Sequence, residues 1–221
     1  MLPEYLDIPI FPLPNVTFFP QTYLPLYVFE PRYLKMTANC LGGDRLMGVA
    51  LLKEGWQRDY FGNPPICRTM GVGKIVDHEQ LANGCYNIVL EGLYRVRLIE
   101  EYPTRCFRTG RVKVLLDPAL DRARAQVGEL MREVETAASR LTRLVPQLKD
   151  PIRRARSACP HPLVFTNQLA NAVVIDAYER QSILEQDNPI LRLKLLLVQL
   201  HNLIHEVNCQ RVRGGDVMDE E

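Results

Sequence analysis

The sequence predicts an α+β protein, in which a β-rich first half is followed by a helical second half. Up to Leu116 the apolar residues alternate with polar ones or stand in short runs between prolines and glycines, which is typical of strands. Over 121–148 they recur at every third or fourth position, as in an amphipathic helix. We therefore expect a β subdomain at 1–117, a helical subdomain with a long first helix at 118–210 and a disordered tail at 211–221.

The stretch Ile8–Tyr33 organises the β half. The five prolines that precede Phe29 exclude a helix there, because each removes a backbone donor and extends the residue before it. They also indicate that the first strand is an edge strand or a bulged one. The alternation in Tyr23–Phe29 suits a strand with one face in a core. Pro31 then suits the first position of a short helix.

Further along, two segments have contrasting patterns. Leu46–Leu52 is apolar on both faces and is predicted to be a central, buried strand. The following long loop contains Trp56, Tyr60 and Phe61, for which two interpretations stay open. The rings fold back as a cluster over the barrel, or they form an exposed patch for a partner.

A hairpin is expected between the strands Lys74–Val76 and Tyr86–Leu90, with Asn83-Gly84 in its turn. Glu91-Gly92 then predicts a kink or bulge that bends the strand as a small barrel closes.

Three shorter helices are predicted after the long one. Pro162 begins one that extends to about Val173, Asp176 with Glu179 forms a capping box for the second, and Asn188 caps the third. The densest positive run precedes them and lacks interleaved aromatics, so we expect a solvated linker, with a nucleic-acid contact as the alternative. Its members are Arg140, Arg143, Lys149, Arg153, Arg154 and Arg156.

Two blocks of the sequence resemble the Lon N-terminal domain, the substrate-recognition module at the front of the ATP-dependent Lon protease. The first block is IPIFPLPNVTFFP, followed by LPLYVFEPRYLKM. The second comprises Gly71–Ile75 and Ile88–Arg97, which are similar to that family's small-residue strand and its strand carrying "EG, x, x, R". The resemblance covers nearly the whole chain.

This resemblance implies a PUA-like β pseudobarrel followed by a C-terminal helical bundle. It also implies a non-catalytic protein- or peptide-binding module of bacterial protein quality control, because the Lon protease has its ATP site and Ser-Lys dyad in later domains. We therefore expect a stand-alone cytoplasmic domain that binds unfolded or peptide segments of client proteins. A protease is a further expected partner, and the chain would be an adaptor or regulator of proteolysis. No cofactor is expected.

The residues themselves offer little catalytic machinery. Gly73-Lys74 lacks both the preceding glycine and the following Ser or Thr of a phosphate loop. No serine lies in a G-x-S-x-G motif; the three serines are Ser139, Ser157 and Ser182. We therefore expect no enzymatic activity.

Charge and cysteine usage are unremarkable. The 27 basic and 26 acidic residues give a net charge of +1, so no global field indicates a nucleic-acid or membrane partner. The six cysteines contain no C-x-x-C pair and are expected to be reduced thiols. His201, His205 and Cys209 recur at four-residue steps, but a closed zinc site needs a fourth ligand, so no metal is expected.

The sequence is compatible with three functions. Client binding leads, RNA binding is the second because PUA-like barrels also bind RNA, and a small enzyme is the third. A client receptor needs an apolar surface beside an open strand edge, and the proline-punctuated first strand with the aromatic loop could supply both. The predicted substrate-binding residues are Trp56, Tyr60, Phe61, Arg32 and Tyr33. Alternatively, Glu30 holds Arg32 in a purely structural turn.

Overall fold

The structure is a computed structural model that describes residues 3–60, 62–103, 106–117, 124–158 and 161–215. The chain divides into two compact units. The first comprises Met1–Leu116 with Asp176–Glu185, and the second comprises Asp117–Ile175 with Gln186–Glu221.

The first unit contains a six-stranded mixed sheet and two helices. Its strands are β1 (Tyr5–Leu13), β2 (Tyr23–Val28), β3 (Leu46–Leu51), β4 (Thr69–Gln80), β5 (Tyr86–Glu101) and β6 (Arg108–Leu115). Helix α1 (Pro31–Leu41) begins at its proline, as predicted, and a 3₁₀ turn covers Trp56–Asp59. These elements, with the helices of the second unit, confirm the α+β class.

Strand β5 closes the sheet into a ring. It pairs with β4 along one side, and along the other it pairs first with β2 and then with β6. The order β5-β4-β3-β1-β6 therefore returns to β5, while β2 lies outside the ring with β5 as its neighbour. Leu93 has no partner in β4, because Val72 pairs with Tyr94 and Gly73 with Gly92. This register shift confirms the bulge predicted beside Glu91-Gly92.

The prediction that β1 is an edge strand or a bulged one is wrong, because β1 lies between β3 and β6 and pairs with each in a continuous register. Its prolines are accommodated by register. The carbonyl of Leu13 accepts a bond from the amide of Leu52, directly after β3. By alternation, the backbone nitrogen of Pro9 points towards β3 and that of Pro12 towards β6. Pairing with β3 begins only at Ile10, and pairing with β6 extends no further than Ile10. Neither missing N–H therefore removes a ladder bond.

Apolar side chains pack on both faces of the ring. The interior cluster draws on all five ring strands, with Ile10, Met70, Val72, Val96 and Val112 among its most buried members. Helix α1 covers the outer side, where its Tyr33, Met36 and Cys40 pack with residues of β1, β3, β4 and β5. The predicted central strand Leu46–Leu52 is confirmed as β3, which contributes to both clusters.

The segment between β1 and β2 crosses the sheet at two glycines. A Cβ atom on Gly71 would lie 2.1 Å from the carbonyl oxygen of Phe18, and one on Gly92 would lie 2.1 Å from that of Phe19. The Gly92 amide also donates to the carbonyl of Thr22 at 2.8 Å. These two glycines therefore set how closely the crossing segment approaches the ring.

Helix α5 (Ala177–Glu185) belongs to the first unit, although the sequence placed it in the helical subdomain. The buried guanidinium of Arg95 donates to the carbonyl of Leu184 at 2.6 Å. Thr17 donates to the carbonyl of Ala177 at 2.8 Å. Because these bonds join residues more than 80 positions apart, no local pattern in the sequence reveals them. The Asp176 half of the predicted capping box is confirmed, since its carboxylate accepts bonds from the amides of Tyr178 and Glu179.

The second unit is helical. Its helices are α2 (Arg124–Leu144), α3 (Lys149–Ala158), α4 (Pro162–Val173) and α6 (Pro189–Gly215). Helix α3 occupies most of the basic run that was predicted to be a linker, because Ile152 and Ala155 bury one side of it. Residues 211–215 continue α6 rather than joining a tail. The predicted tail residues 216–221 and the start of the long helix at 121–123 lie outside the described residues.

A buried ion pair joins the ends of this unit's chain segments. Arg192 is 0% exposed and contacts both carboxylate oxygens of Asp117, at 2.7 and 3.2 Å. Its guanidinium also donates to the carbonyl of Gln186. Such a bidentate, hydrogen-bonded pair fixes geometry well, whereas removing one partner leaves a costly buried charge.

The glycine crossing generates the first prediction. Replacing Gly92 by Ala should lower the free energy of unfolding by about 2 kcal/mol or more, because the carbonyl of Phe19 would have to move. Gly42→Ala is the matched control, since its added Cβ would meet nothing closer than 3.6 Å and its φ is −78°. Urea unfolding of both variants measures the difference. Equal stabilities would contradict the close approach.

Candidate functional site

The outer side of β2, together with the residue that follows the strand, carries three exposed aromatic side chains. Tyr23, Tyr27 and Phe29 are 63%, 52% and 59% exposed, and the rings of Tyr27 and Phe29 stack with centroids 5.8 Å apart. Pro25 lies between the tyrosines on the same side. The alternate residues Leu24, Leu26 and Val28 pack into the cluster under α1. Strand alternation therefore separates an anchored side from an aromatic one.

The sheet register extends this surface onto β5. Tyr23 pairs with Glu91, Pro25 with Val89, and Tyr27 with Asn87. Paired residues project to the same side of a sheet, so the half-buried Val89 lies beside Pro25. We call this surface the aromatic face; it comprises Tyr23, Pro25, Tyr27, Phe29, Asn87, Val89 and Glu91.

Polar contacts hold the tyrosines of the aromatic face in place. The Tyr23 hydroxyl donates to Glu91 Oε1 at 3.4 Å, and Asn83 donates to the Tyr27 hydroxyl at 3.5 Å. A side-chain hydrogen bond with Cys85 raises the pKa of Tyr27 above its ordinary value. Tyr27 therefore presents a neutral phenol near neutral pH, suited to contacts that are part apolar and part hydrogen-bonding.

The free edge of β2 is only partly able to pair with another strand. The Gly92 amide donates to the carbonyl of Thr22, so the backbone N–H and C=O groups of Thr22 point towards β5. By alternation, those of Leu24 and Leu26 also point towards β5, whereas the backbone groups of Tyr23, Pro25 and Tyr27 point to the open edge. Pro25 has no N–H, so the edge offers amide donors at Tyr23 and Tyr27 with a gap between them. A proline in this place protects an edge strand against uncontrolled pairing.

The structure brings four of the five predicted substrate-binding residues together at a second place. The guanidinium of Arg32 lies 4.6 Å from the ring centroid of Tyr33 and 5.4 Å from that of Tyr60. Trp56 lies 5.5 Å from Tyr60 between ring centroids. Phe61, the fifth predicted residue, lies outside the described residues.

These four residues are tied into the protein to different degrees. Tyr33 is 5% exposed, and burial raises its pKa to about 12. Trp56 is half-buried and packs against the interior cluster of the ring, which is the first of the two interpretations of the loop. Arg32 forms an ion pair with Glu30 at 3.1 Å and donates to the carbonyl of Tyr60. The contact between Glu30 and Arg32 that a purely structural turn requires is therefore present.

A pocket of about 270 Å³ lies beside Arg32, Tyr33 and Tyr60, which together with Trp56 we call the loop cluster. Arg32, Tyr60 and Arg108 line it, and Arg108 is itself held by Glu101 at 2.7 Å and by the carbonyl of Pro64. Both arginines thus have carboxylate partners, which leaves little uncompensated charge for an anionic ligand.

Other sequence features lie apart from these two places. In the second unit Arg156 donates to Ser139 at 2.7 Å, and Arg153 pairs with Asp150 at 2.9 Å. Cys209 lies 3.6 Å from His205. Within the described ranges no group of three or more His, Cys, Asp or Glu side chains is placed to hold a metal ion. Also within these ranges, no helix has both the length and the apolar character to cross a membrane.

The aromatic face was not predicted as a site, although its signal was in the sequence. The alternation in Tyr23–Phe29 already places its tyrosines and Phe29 on one side. The prolines of β1, however, indicated an open edge at β1, whereas the open edge is at β2. Since pairing partners are non-local, Pro25 could not be assigned to a free edge from the sequence alone.

Comparison with known proteins identifies the family. The sequence profile described as the ATP-dependent protease La (LON) substrate-binding domain matches residues 7–202, and the chain belongs to this family. Lon protease 1 of Herpetosiphon aurantiacus is 24% identical over 208 residues, covering 93% of this chain and 25% of that protein. The Lon protease of Trichlorobacter lovleyi is 26% identical over 208 residues, with 92% and 25% covered. The chain thus spans about a quarter of the length of these curated relatives.

Solved structures show the same fold. The N-terminal domain of Lon protease from the Mycobacterium avium complex superposes with a TM-score of 0.63 at 16% identity, covering 89% of this chain and 98% of that one. The Lon N-terminal domain protein from Xanthomonas campestris gives a TM-score of 0.59 at 24% identity, covering 87% and 98%. The similarity to Lon proteases therefore concerns their N-terminal domain.

The edge of β2 generates the second prediction. Pro25→Val supplies the missing N–H and should make the edge continuous, so that the variant self-associates at lower concentration than the unaltered protein. Sedimentation velocity over a concentration series measures this change. Pro103→Val, at an exposed position between strands, is the control. If both variants sediment like the unaltered protein, Pro25 does not protect the edge.

Proposed function

We propose that the chain is a non-catalytic receptor for unfolded or peptide segments of client proteins, and that the aromatic face holds them. The observation that carries this proposal is the exposure of Tyr23 and Tyr27, with Phe29 directly after them, along a strand at the end of the sheet order. An unfolded segment offers apolar side chains and unpaired backbone groups. The aromatic face can cover the first, and the edge donors of β2 can engage the second.

Membership of the substrate-binding domain family supports this proposal, because the family description states protein-substrate binding for the corresponding part of a protease. In this proposal the chain acts in protein quality control, as an adaptor that presents clients to a protease or as a regulator of proteolysis. The client contact and the protease contact are separate properties. Only the first depends on the aromatic face.

RNA binding is less suited to this surface. Single-stranded RNA is bound where aromatic rings adjoin basic side chains that contact its phosphates. The residue paired with Tyr23 is instead the carboxylate of Glu91. The aromatic face therefore favours a protein client over RNA.

The loop cluster is a second proposed contact for the client. Since Tyr33 is buried and Trp56 packs on the interior cluster, Arg32 and Tyr60 would act through the pocket beside them rather than as an open surface. We assign this pocket one side chain of the bound segment. Trp56, the single tryptophan of the chain, would report its occupancy through its fluorescence.

The third prediction tests the client site. Tyr27→Ser with Phe29→Ser should weaken binding of a labelled, reduced and carboxamidomethylated lysozyme at least tenfold, because each anchor contributes about 1 to 3 kcal/mol. The melting temperature should stay nearly unchanged, since both rings are mostly exposed. Fluorescence anisotropy measures binding, and differential scanning fluorimetry measures stability.

The matched control is Tyr5→Ser, which removes another exposed tyrosine from a strand of the same unit. It should leave the affinity for the client unaltered. Equal weakening by the control and the double variant would show that binding is nonspecific. If the double variant binds normally and the client changes Trp56 emission, the loop cluster rather than the aromatic face is the receptor.

A further inference from the structure

The aromatic face adjoins a row of carboxylates. Strand β4 lies on the far side of β5 from β2, and its Asp77 pairs with Val89 and its Glu79 with Asn87. Asn87 donates to Glu79 at 3.3 Å, which places Glu79 on the same side of the sheet as the tyrosines. Asp77 and Glu79 are both exposed. Together with Glu91 they form what we call the acidic row.

The acidic row has little internal compensation. Among the described residues no lysine or arginine forms an ion pair with Asp77, Glu79 or Glu91. Lys74, which pairs with Glu91 in the register, is the one basic residue among the paired positions of β2, β5 and β4 on this side of the sheet. Three carboxylates against one ammonium give this surface a net charge of −2, whereas the whole chain has +1. The local potential is therefore opposite in sign to the overall charge.

The distances suit a cationic side chain from a segment bound along β2. Adjacent strands lie about 4.8 Å apart, so Glu91 is one strand away from the tyrosines, and Asp77 and Glu79 are two strands away. Lysine and arginine have long apolar stems that lie along apolar surface while the charged group reaches out. Val89 provides such a surface between Pro25 and Asp77.

We propose that the aromatic face with its acidic row selects client segments that carry lysine or arginine two positions away from an apolar side chain. This inference rests on the proposed client binding and adds the class of segment. In an extended segment, side chains two positions apart face the same side, so an apolar one can lie on the tyrosines while a lysine or arginine extends over Val89 towards the carboxylates. Segments with acidic residues at the same positions are disfavoured, because like charges repel across the same distances.

The test uses three labelled synthetic peptides of equal length with identical apolar residues and with lysine, serine or glutamate placed two positions after each apolar residue. Anisotropy titrations at low salt should rank the affinities lysine, serine, glutamate, with about a tenfold span between the first two. At 0.5 M NaCl the span should fall to about twofold, because exposed charges are screened within a few ångströms. Equal affinities for the lysine and glutamate peptides at low salt would overturn the inference.

The decisive variant is Asp77→Lys with Glu79→Lys, which should reverse the ranking so that the glutamate peptide binds more tightly than the lysine peptide. Asp44→Lys with Glu54→Lys changes the net charge equally at exposed positions outside these strands and should leave the ranking unaltered. Should the first variant melt early, Asp77→Asn with Glu79→Gln replaces it, and the ranking should then flatten. A ranking that survives these changes contradicts the role of the acidic row.

The outcomes separate this inference from the proposed function. Binding of the serine peptide that is lost in the Tyr27→Ser, Phe29→Ser variant supports the aromatic face whatever the charge ranking. If the serine peptide binds and the ranking is absent, only the selection by charge is wrong. If none of the three peptides binds, the client-receptor function itself is wrong.

Discussion

The structure depends on one exchange of neighbours along strand β5. Before Gly92 the strand pairs with β2, and from Arg95 onwards it pairs with β6. The exchange is possible because the chain entering β2 crosses directly over Gly92, where any side chain would collide with the carbonyl of Phe19. Closing the ring through β6 leaves β2 outside it. The same constraint that completes the barrel therefore creates a strand with a free edge.

That free edge explains why aromatic residues can be exposed without loss of the fold. The inward residues of β2 anchor it through the cluster under α1, so Tyr23 and Tyr27 are not needed for packing. Pro25 interrupts the edge and limits self-pairing. The result is a surface suited to the proposed transient contacts with segments that have no stable structure, among which its carboxylates would distinguish by charge.

Local features could be predicted from the sequence, and non-local ones could not. Asp176 and Asn188 cap helices through bonds to residues two or three positions away, so their spacing suffices. The place of β1 depends instead on hydrogen bonds that the carbonyls of Glu4 and Leu13 accept from amides far away in the sequence. The aromatic composition of their loop was enough to indicate Trp56 and Tyr60 as candidates, whereas the exposure of Tyr27 depends on which strands close the ring. Helix α5 belongs with the strands through Arg95, far away in the sequence.

The central claim is that a client occupies the exposed side of β2, and a map of backbone amide chemical shifts tests it most directly. Titrating the isotopically labelled chain with an unlabelled unfolded client, the account predicts perturbations concentrated in residues 23–29 and 87–91, with weaker ones at 77–79. Amides of the second unit should keep their shifts. Perturbations confined to the second unit or to the loop around Trp56, with β2 unaffected, would contradict the account.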